Sequence, residues 1–174
     1  MFDSFNTMDS KTNLLQKPKF VDERCSELNL RLGFLSGTHF EDLKSRTELL
    51  FQYAIAKRRF GEKRNLQLCL DRIFYDQWDV IWETMVTFFD QLPMINGFDF
   101  QGSDLELDGL LRLYQVYLKS ENMENLPIIG IYDTFAHDEY KELFKKIENE
   151  ERGPEFLKRI LFPENKYLAE PWIP

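Results

Sequence analysis

The sequence predicts a mainly α-helical fold, a compact single-domain bundle of about five helices with at most a small β-hairpin. Several segments repeat apolar residues at three- and four-residue spacing, which places those residues on one face of a helix. Glycine and proline are sparse, at 8 and 7 of the 174 residues, whereas all-β folds need many turn residues. An α+β fold is the alternative, because a few short segments would also suit strands.

The chain length suits one domain, since a chain of 174 residues can bury roughly two thirds of its unfolded surface. Aromatic residues make up 15% of the chain, and their large side chains favour a substantial core. Residues 1–19 are polar and without a period, which predicts a flexible N-terminal arm. Residues 20–163 form the predicted helical domain, and residues 164–174 an extended C-terminal tail. We find no internal repeat in the sequence.

The first predicted helix spans residues 38–60 and has signals at both ends. Thr38 and Glu41 form a capping box, in which each side chain accepts a hydrogen bond from the other residue's backbone amide. Three bases in the last turn complement the helix dipole, and Gly61 suits the position just after the helix. The preceding residues 20–37 are ambiguous, because a short helix or a docked loop would both fit.

The second helix has the clearest pattern in the chain. Its apolar residues fall on one face, and they are Phe74, Trp78, Ile81, Trp82, Met85, Phe88, Phe89 and Leu92. Pro93 is expected to end the helix, because the residue before a proline disfavours helical geometry. Four of the apolar residues are predicted to form the centre of the core, packed against the first helix: Trp78, Trp82, Met85 and Phe89.

Three further helices are predicted. The first spans residues 107–118 and follows a capping box at Ser103 and Glu106. The next spans residues 137–151. The last begins at Pro154, a residue type that suits the first helical position, and ends before Pro163.

Short strands would fit at a few places. Residues 66–70 alternate between leucine and other residues, and residues 93–103 form a turn-rich link able to hold a small hairpin. A strand over residues 111–118, paired with residues 128–131, is the alternative to the third helix. These segments are the reason for keeping α+β as the second fold class.

Negative charge is concentrated in one part of the chain. Residues 71–111 hold nine acidic residues and one base, a formal charge of −8 that equals that of the whole protein. Four of these acids form one stripe on the second helix, opposite its apolar face: Asp76, Asp79, Glu83 and Asp90. No lysine or arginine on that helix lies four positions from one of these acids, where it would neutralise the charge. Because such a field attracts positive charge, we predict that the stripe binds a protein partner. A merely solvated face is the plainer alternative.

Other kinds of site lack support in the sequence. Motifs that hold phosphates or dinucleotides, or that activate a nucleophile, are absent. The segment from Asp104 to Gly109 begins like a calcium loop, but the twelfth position is Gln115, which cannot supply the bidentate carboxylate. No zinc-ligand spacing occurs among the cysteines and histidines, which are Cys25, Cys69, His39 and His137. We therefore expect neither a metal nor a cofactor.

The charge also limits the class of partner. A pI of about 4.9 argues against direct binding of nucleic acid or of an anionic membrane, since both require positive charge. No segment approaches the roughly 20 apolar residues that span a membrane. Two cysteines and an N-terminus without a signal-peptide pattern favour a cytoplasmic protein.

We expect an acidic, non-enzymatic binding protein that occludes a basic surface on a protein partner. A toxin-neutralising immunity protein or an inhibitor of a nucleic-acid enzyme would have this profile. The alternative is a small enzyme with a carboxylate–histidine site around Asp133, His137 and Asp138, which lie close enough in sequence to form an acid–base pair.

Overall fold

The fold is α/β, so the predicted mainly α bundle is wrong. A computed structural model describes residues 16–18, 21–24, 28–32, 40–70, 77–100, 105, 107–131 and 137–161. The described strands are β1 (Val21–Arg24), β2 (Leu28–Leu32), β3 (Leu66–Cys69), β4 (Gly97–Asp99), β5 (Ile128–Gly130) and β6 (Ile160–Leu161). The described α-helices are α1 (Phe40–Arg59), α2 (Trp78–Thr87), α3 (Leu107–Tyr117), α4 (His137–Glu148) and α5 (Gly153–Leu157). Short 3-10 helices cover Phe89–Met94 and Met123–Asn125.

The six strands form one sheet in which the spatial order follows the chain order. β1 and β2 pair antiparallel, while each later strand pairs parallel to the one before it. Parallel neighbours need a crossover connection, and here each crossover contains at least one helix. The chain therefore adds one strand and one helical connection at a time along the sheet.

The strand register shows that the strands recur at a nearly regular spacing along the chain, which we did not predict from the sequence. Five residues lie opposite one another across the parallel strands, and they are Leu30, Leu68, Phe98, Ile129 and Ile160. They are 38, 30, 31 and 31 residues apart. In the sequence, each of these five residues is followed two positions later by another apolar residue. The fold therefore repeats a unit of one strand and one helical connection, although the connections differ in their helices.

The helices lie together on one side of the sheet. When successive crossover connections have the same hand and proceed in the same direction along a sheet, their helices lie on the same face of the sheet. In agreement, α1 packs on α2, α2 on α3, and α3 on α4. The buried strand residues Leu68, Phe98 and Ile129 belong to the same core cluster as the helices' apolar faces. Alternation along the strands puts Gln67 and Asp99 on the opposite face, where both are partly exposed.

The first predicted helix is confirmed to within two residues at its start and one at its end. α1 ends in a Schellman motif, in which the Gly61 amide donates to the Arg58 carbonyl at 3.2 Å and the Glu62 amide to the Lys57 carbonyl at 3.1 Å. Gly61 has a φ of +94°, a conformation that glycine adopts without a Cβ penalty.

The second predicted helix is shorter than expected. α2 ends at Thr87, and the chain continues as a 3-10 helix that contains Pro93 instead of stopping before it. Trp78, Trp82 and Met85 are buried beside α1, as predicted, whereas Phe89 is only partly buried. Phe74 lies outside the described residues.

The strand assignments need the most correction. Residues 21–24 and 28–32 are a hairpin and not a helix or docked loop, and β4 is a central parallel strand within what was expected to be a turn-rich link. Residues 107–117 are helical, so the strand alternative there is wrong. Residues 128–130 do form a strand, but they pair with β4 and β6.

The C-terminal helices are both shorter than predicted. α4 ends at Glu148, and α5 covers only five residues before the chain enters β6. The predicted arm lies outside the described residues except for residues 16–18, and the predicted tail lies wholly outside them.

Candidate functional site

The predicted acidic stripe lies on the solvent-exposed side of the helix layer. Asp79 and Glu83 occupy successive turns of α2, and Asp90 lies in the 3-10 helix that follows. All three are exposed, while the opposite side of α2 is buried in the core. Asp76 lies outside the described residues. We use the term acidic stripe below for Asp79, Glu83 and Asp90.

The neighbouring helices supply bases that the sequence pattern of α2 does not show. Arg112 on α3 forms an ion pair with Asp79, and Lys44 on α1 lies 3.6 Å from Glu83. The two carboxylates are more than half exposed, at 62% and 61% of their side-chain surface. Ion pairs this exposed contribute about 0–1 kcal/mol, because water screens them.

Asp90 differs from the other two acids, because it forms no ion pair with any other described residue. The Asp90 side chain is exposed. The next residue, Gln91, lines the space between α1 and α2. Within the described part of the stripe, Asp90 is thus the acid with an uncompensated charge.

An apolar groove runs beside the stripe. One depression of about 430 Å³ is lined by Trp82, Glu83, Val86 and Thr87. A second, of about 440 Å³, is lined by Gln52, Ile55, Ala56, Arg59, Phe60, Thr87, Phe88 and Gln91. The first is lined by residues of α2 alone, whereas the second lies between α1 and α2, and we call the second the α1–α2 groove. Below it, the ring of Phe88 stacks on Phe51 of α1 with centroids 5.7 Å apart, which supports its floor.

Two apolar side chains, one at each depression, are unusually exposed. Phe60 is 51% exposed and Val86 is 47% exposed. Val86 lies between Glu83 and Asp90 on the polar side of α2, where the helical pattern favours a polar residue. Exposed apolar side chains near charged residues are typical of a protein-binding surface. Sequence reasoning missed both residues, although an apolar residue on a polar helix face was a usable signal for Val86.

Arg58, a base in the last turn of α1, has a structural role. Arg58 donates from Nε to the Met94 carbonyl at 3.0 Å and from Nη1 to the Glu62 carbonyl at 2.6 Å. It also bonds the Asn96 side chain, which accepts a further hydrogen bond from the Leu66 amide at 2.8 Å. These contacts fasten the end of α1 to the starts of β3 and β4, so Arg58 is committed within the fold.

Arg64 and Glu62 form a second internal contact in this region. The Arg64 side chain donates to both Glu62 oxygens, at 2.9 Å and 2.7 Å, and the Arg64 backbone amide donates to one of them. These hydrogen bonds favour the ionised carboxylate and lower the pKa of Glu62 from 4.5 to about 2.

The alternative catalytic residues cannot be placed as a site. Asp133 lies outside the described residues, and so do the side chains of His137 and Asp138, although these two residues begin α4. Among the described residues, no group of three or more histidine, cysteine, aspartate or glutamate side chains could hold a metal ion. The described helices also include none that is long and apolar enough to cross a membrane.

Comparison with protein-family models, curated proteins and solved structures returned no match.

Proposed function

We propose that this chain is a non-enzymatic binding protein that occludes a basic surface on a protein partner. The observation that carries the proposal is the exposed acidic stripe directly beside an apolar groove. A toxin-neutralising immunity protein or an inhibitor of a nucleic-acid enzyme would use such a surface. We place this activity in the cytoplasm and expect no direct contact with nucleic acid or membrane, in keeping with the charge of −8 and the two cysteines.

The physical roles of the two parts are different. Exposed acids steer a basic partner toward the surface and suppress wrong partners, which affects the association rate and specificity. Apolar side chains at the centre of an interface exclude water and supply most of the binding energy. The groove and the stripe together provide both functions on one side of α2.

The internal ion pairs of the stripe are compatible with partner binding. Lys44 and Arg112 are themselves about half exposed, at 49% and 54% of their side-chain surface. Such weak pairs can be exchanged for contacts with a partner's bases at little cost. At Asp90, no ion pair with a described residue has to be exchanged.

Charge reversal on the stripe tests the proposal. The partner is the protein that co-purifies with the tagged chain from its native host, and its affinity is measured by calorimetry over a range of salt. We expect Asp79→Lys with Glu83→Lys to weaken binding by roughly tenfold or more, since close interfacial charge pairs contribute more than 1.4 kcal/mol. The salt dependence should fall as well, because fewer charges are screened.

A matched control separates local contacts from net charge. Glu139→Lys with Glu142→Lys makes the same change in charge on two exposed residues of α4, away from the stripe. We expect this variant to bind nearly as the wild type does. Equal affinity and equal salt dependence for the stripe variant and the control would show that the stripe is only a solvated face.

A further inference from the structure

The α1–α2 groove has a mostly apolar lining and the size of a small-molecule site. Four apolar side chains line it: Ile55, Ala56, Phe60 and Phe88. Its volume of about 440 Å³ falls within the range of ligand pockets, roughly 300–1,000 Å³. Such pockets combine an apolar lining with a few polar groups that orient the ligand.

Two aromatic rings line the groove. Phe88 stacks on Phe51 with ring centroids 5.7 Å apart, so contact with the core holds its ring in place. Phe60, just after α1, is 51% exposed. A flat apolar ligand in the groove would remove Phe60 from water, which is favourable, and an aromatic ligand gains further from contact between rings.

The chain around this groove is basic, in contrast to the molecule as a whole. Residues 57–64 hold five bases and one acid, a formal charge of +4, whereas the whole chain carries −8. The one acid, Glu62, is paired with Arg64 at 2.7 Å. This end of the groove therefore attracts negative charge.

One of these bases faces the groove. Among the described lining residues, Arg59 is the one charged side chain. It is exposed at the end of α1 and forms no ion pair with any described residue. An anionic group on a ligand in the groove can therefore pair with Arg59 without displacing an internal contact between described residues.

We propose that the α1–α2 groove binds a small carboxylate with a flat apolar body. The carboxylate pairs with the Arg59 guanidinium, whose N–H donors match the two oxygens of a carboxylate. The apolar body lies against Phe60 and Phe88. Two neutral amide side chains of the lining, Gln52 and Gln91, provide further donors.

The sign of the ligand's charge follows from the lining. A cation in the groove would meet Arg59 with no described acid in the lining to offset the repulsion. A neutral ligand would gain the apolar contacts but no ion pair. The inference goes beyond the proposed function and does not depend on it, and a partner that buries the same apolar surface would exclude the ligand.

Three probes that share a naphthalene ring test the charge preference. They are the anion 2-naphthoate, the neutral 2-naphthamide and the cation 2-naphthylmethylammonium. Calorimetry at pH 7 measures their affinity for the full chain. We expect naphthoate to bind with a Kd of about 1 mM or tighter. It should bind roughly fivefold tighter than naphthamide, since an exposed ion pair contributes modestly, and the ammonium probe should bind most weakly.

Two variants that each remove one positive charge separate the local contact from net charge. Arg59→Gln should abolish the difference between naphthoate and naphthamide. Lys63→Gln should preserve it, because Lys63 is exposed but does not line the groove. Phe60→Ser should weaken both probes, whereas Leu118→Ser, at a residue 39% exposed beyond α3, should weaken neither. Circular dichroism checks that each variant is folded.

The proposal is overturned if the three probes bind equally or if none binds at millimolar concentration. Equal effects of Arg59→Gln and Lys63→Gln would also overturn it, because the preference would then reflect net charge. None of these results bears on the proposed function, which is tested separately through Asp79 and Glu83. Conversely, a partner insensitive to those two acids would leave the carboxylate site in place.

Discussion

At the scale of single residues, buried or half-buried polar side chains hold the connections that lead into the strands. Arg58 binds the Met94 carbonyl before β4. Tyr117 donates its buried hydroxyl to the Pro127 carbonyl at 2.6 Å, and Arg159 donates to the Leu126 carbonyl at 2.6 Å, both just before β5. Backbone carbonyls in such connections lack ladder partners, so leaving them unpaired would be costly. Burial also raises the pKa of Tyr117, which keeps the hydroxyl a donor.

Glu62 gives a pH-dependent prediction at this scale. Its folded pKa of about 2 lies below the ordinary value of 4.5, so its contribution to stability is fully present above pH 4.5 and is lost as the pH falls toward 2. Glu62→Gln should therefore lower the stability at pH 7, and the difference from wild type should vanish between pH 4.5 and 2. Urea unfolding of both proteins at several pH values measures this difference in stability. A difference that is constant with pH would contradict the role of the ionised carboxylate.

At the scale of elements, local signals set the helices, and close packing decides where some of them meet. α5 turns back toward α4 through Gly153, whose amide donates to the Glu150 carbonyl at 3.1 Å. A Cβ at this residue would overlap the carbonyl oxygen of Ile147 at the end of α4. Backbone atoms cannot rotate away as a side chain can, so this contact between helices requires glycine.

Gly153→Ala should consequently destabilise the protein. We expect a loss of about 1–3 kcal/mol or more, because the backbone of α4 or α5 must shift to admit the methyl group. Thermal unfolding followed by circular dichroism provides the measurement. Lys158→Ala, at an exposed residue just after α5, should change stability by no more than about 0.5 kcal/mol. Wild-type stability in the glycine variant would show that the turn adapts without strain.

At the scale of the whole molecule, the repeats share one core. The buried cluster runs from Leu43 in α1 to Ile160 in β6 without a break between units. Aromatic contacts join neighbouring units, such as Trp78 with Phe100 at 5.5 Å and Tyr114 with Phe156 at 4.9 Å between ring centroids. A chain of so few repeats with a continuous core is expected to unfold as one unit.

Phe156→Ala tests this cooperativity from one end of the sheet. Phe156 is fully buried, so the substitution should cost about 3–5 kcal/mol. In a Trp172→Phe background, fluorescence reports only Trp78 and Trp82, which both lie in α2, far from Phe156 along the chain. We expect the unfolding midpoint measured by fluorescence and the one measured by far-UV circular dichroism to decrease by the same amount. A shift in circular dichroism alone would show that the terminal unit unfolds independently.

The sequence by itself determined the elements whose signals are local. The capping box, the basic last turn and Gly61 located α1 to within two residues, and the apolar spacing placed Trp78, Trp82 and Met85 in the core. It also located Asp79 and Glu83 on the exposed side of α2, since the helical period separates the two faces, and Asp90 is exposed in the 3-10 helix that follows.

Only the tertiary structure decided the sheet and the composition of the candidate site. The strands are two to five residues long, so the alternation over residues 66–70 and the apolar run at residues 128–131 allowed strands there without excluding other structure. Their pairing joins residues about 31 positions apart, a distance over which no local pattern acts. The same holds for Lys44 and Arg112, which reach the acidic stripe from other helices, and for Phe60, which lines the same groove as Thr87. Helices form from contacts within a few residues, whereas parallel strands and surface grooves exist only after distant segments have packed together.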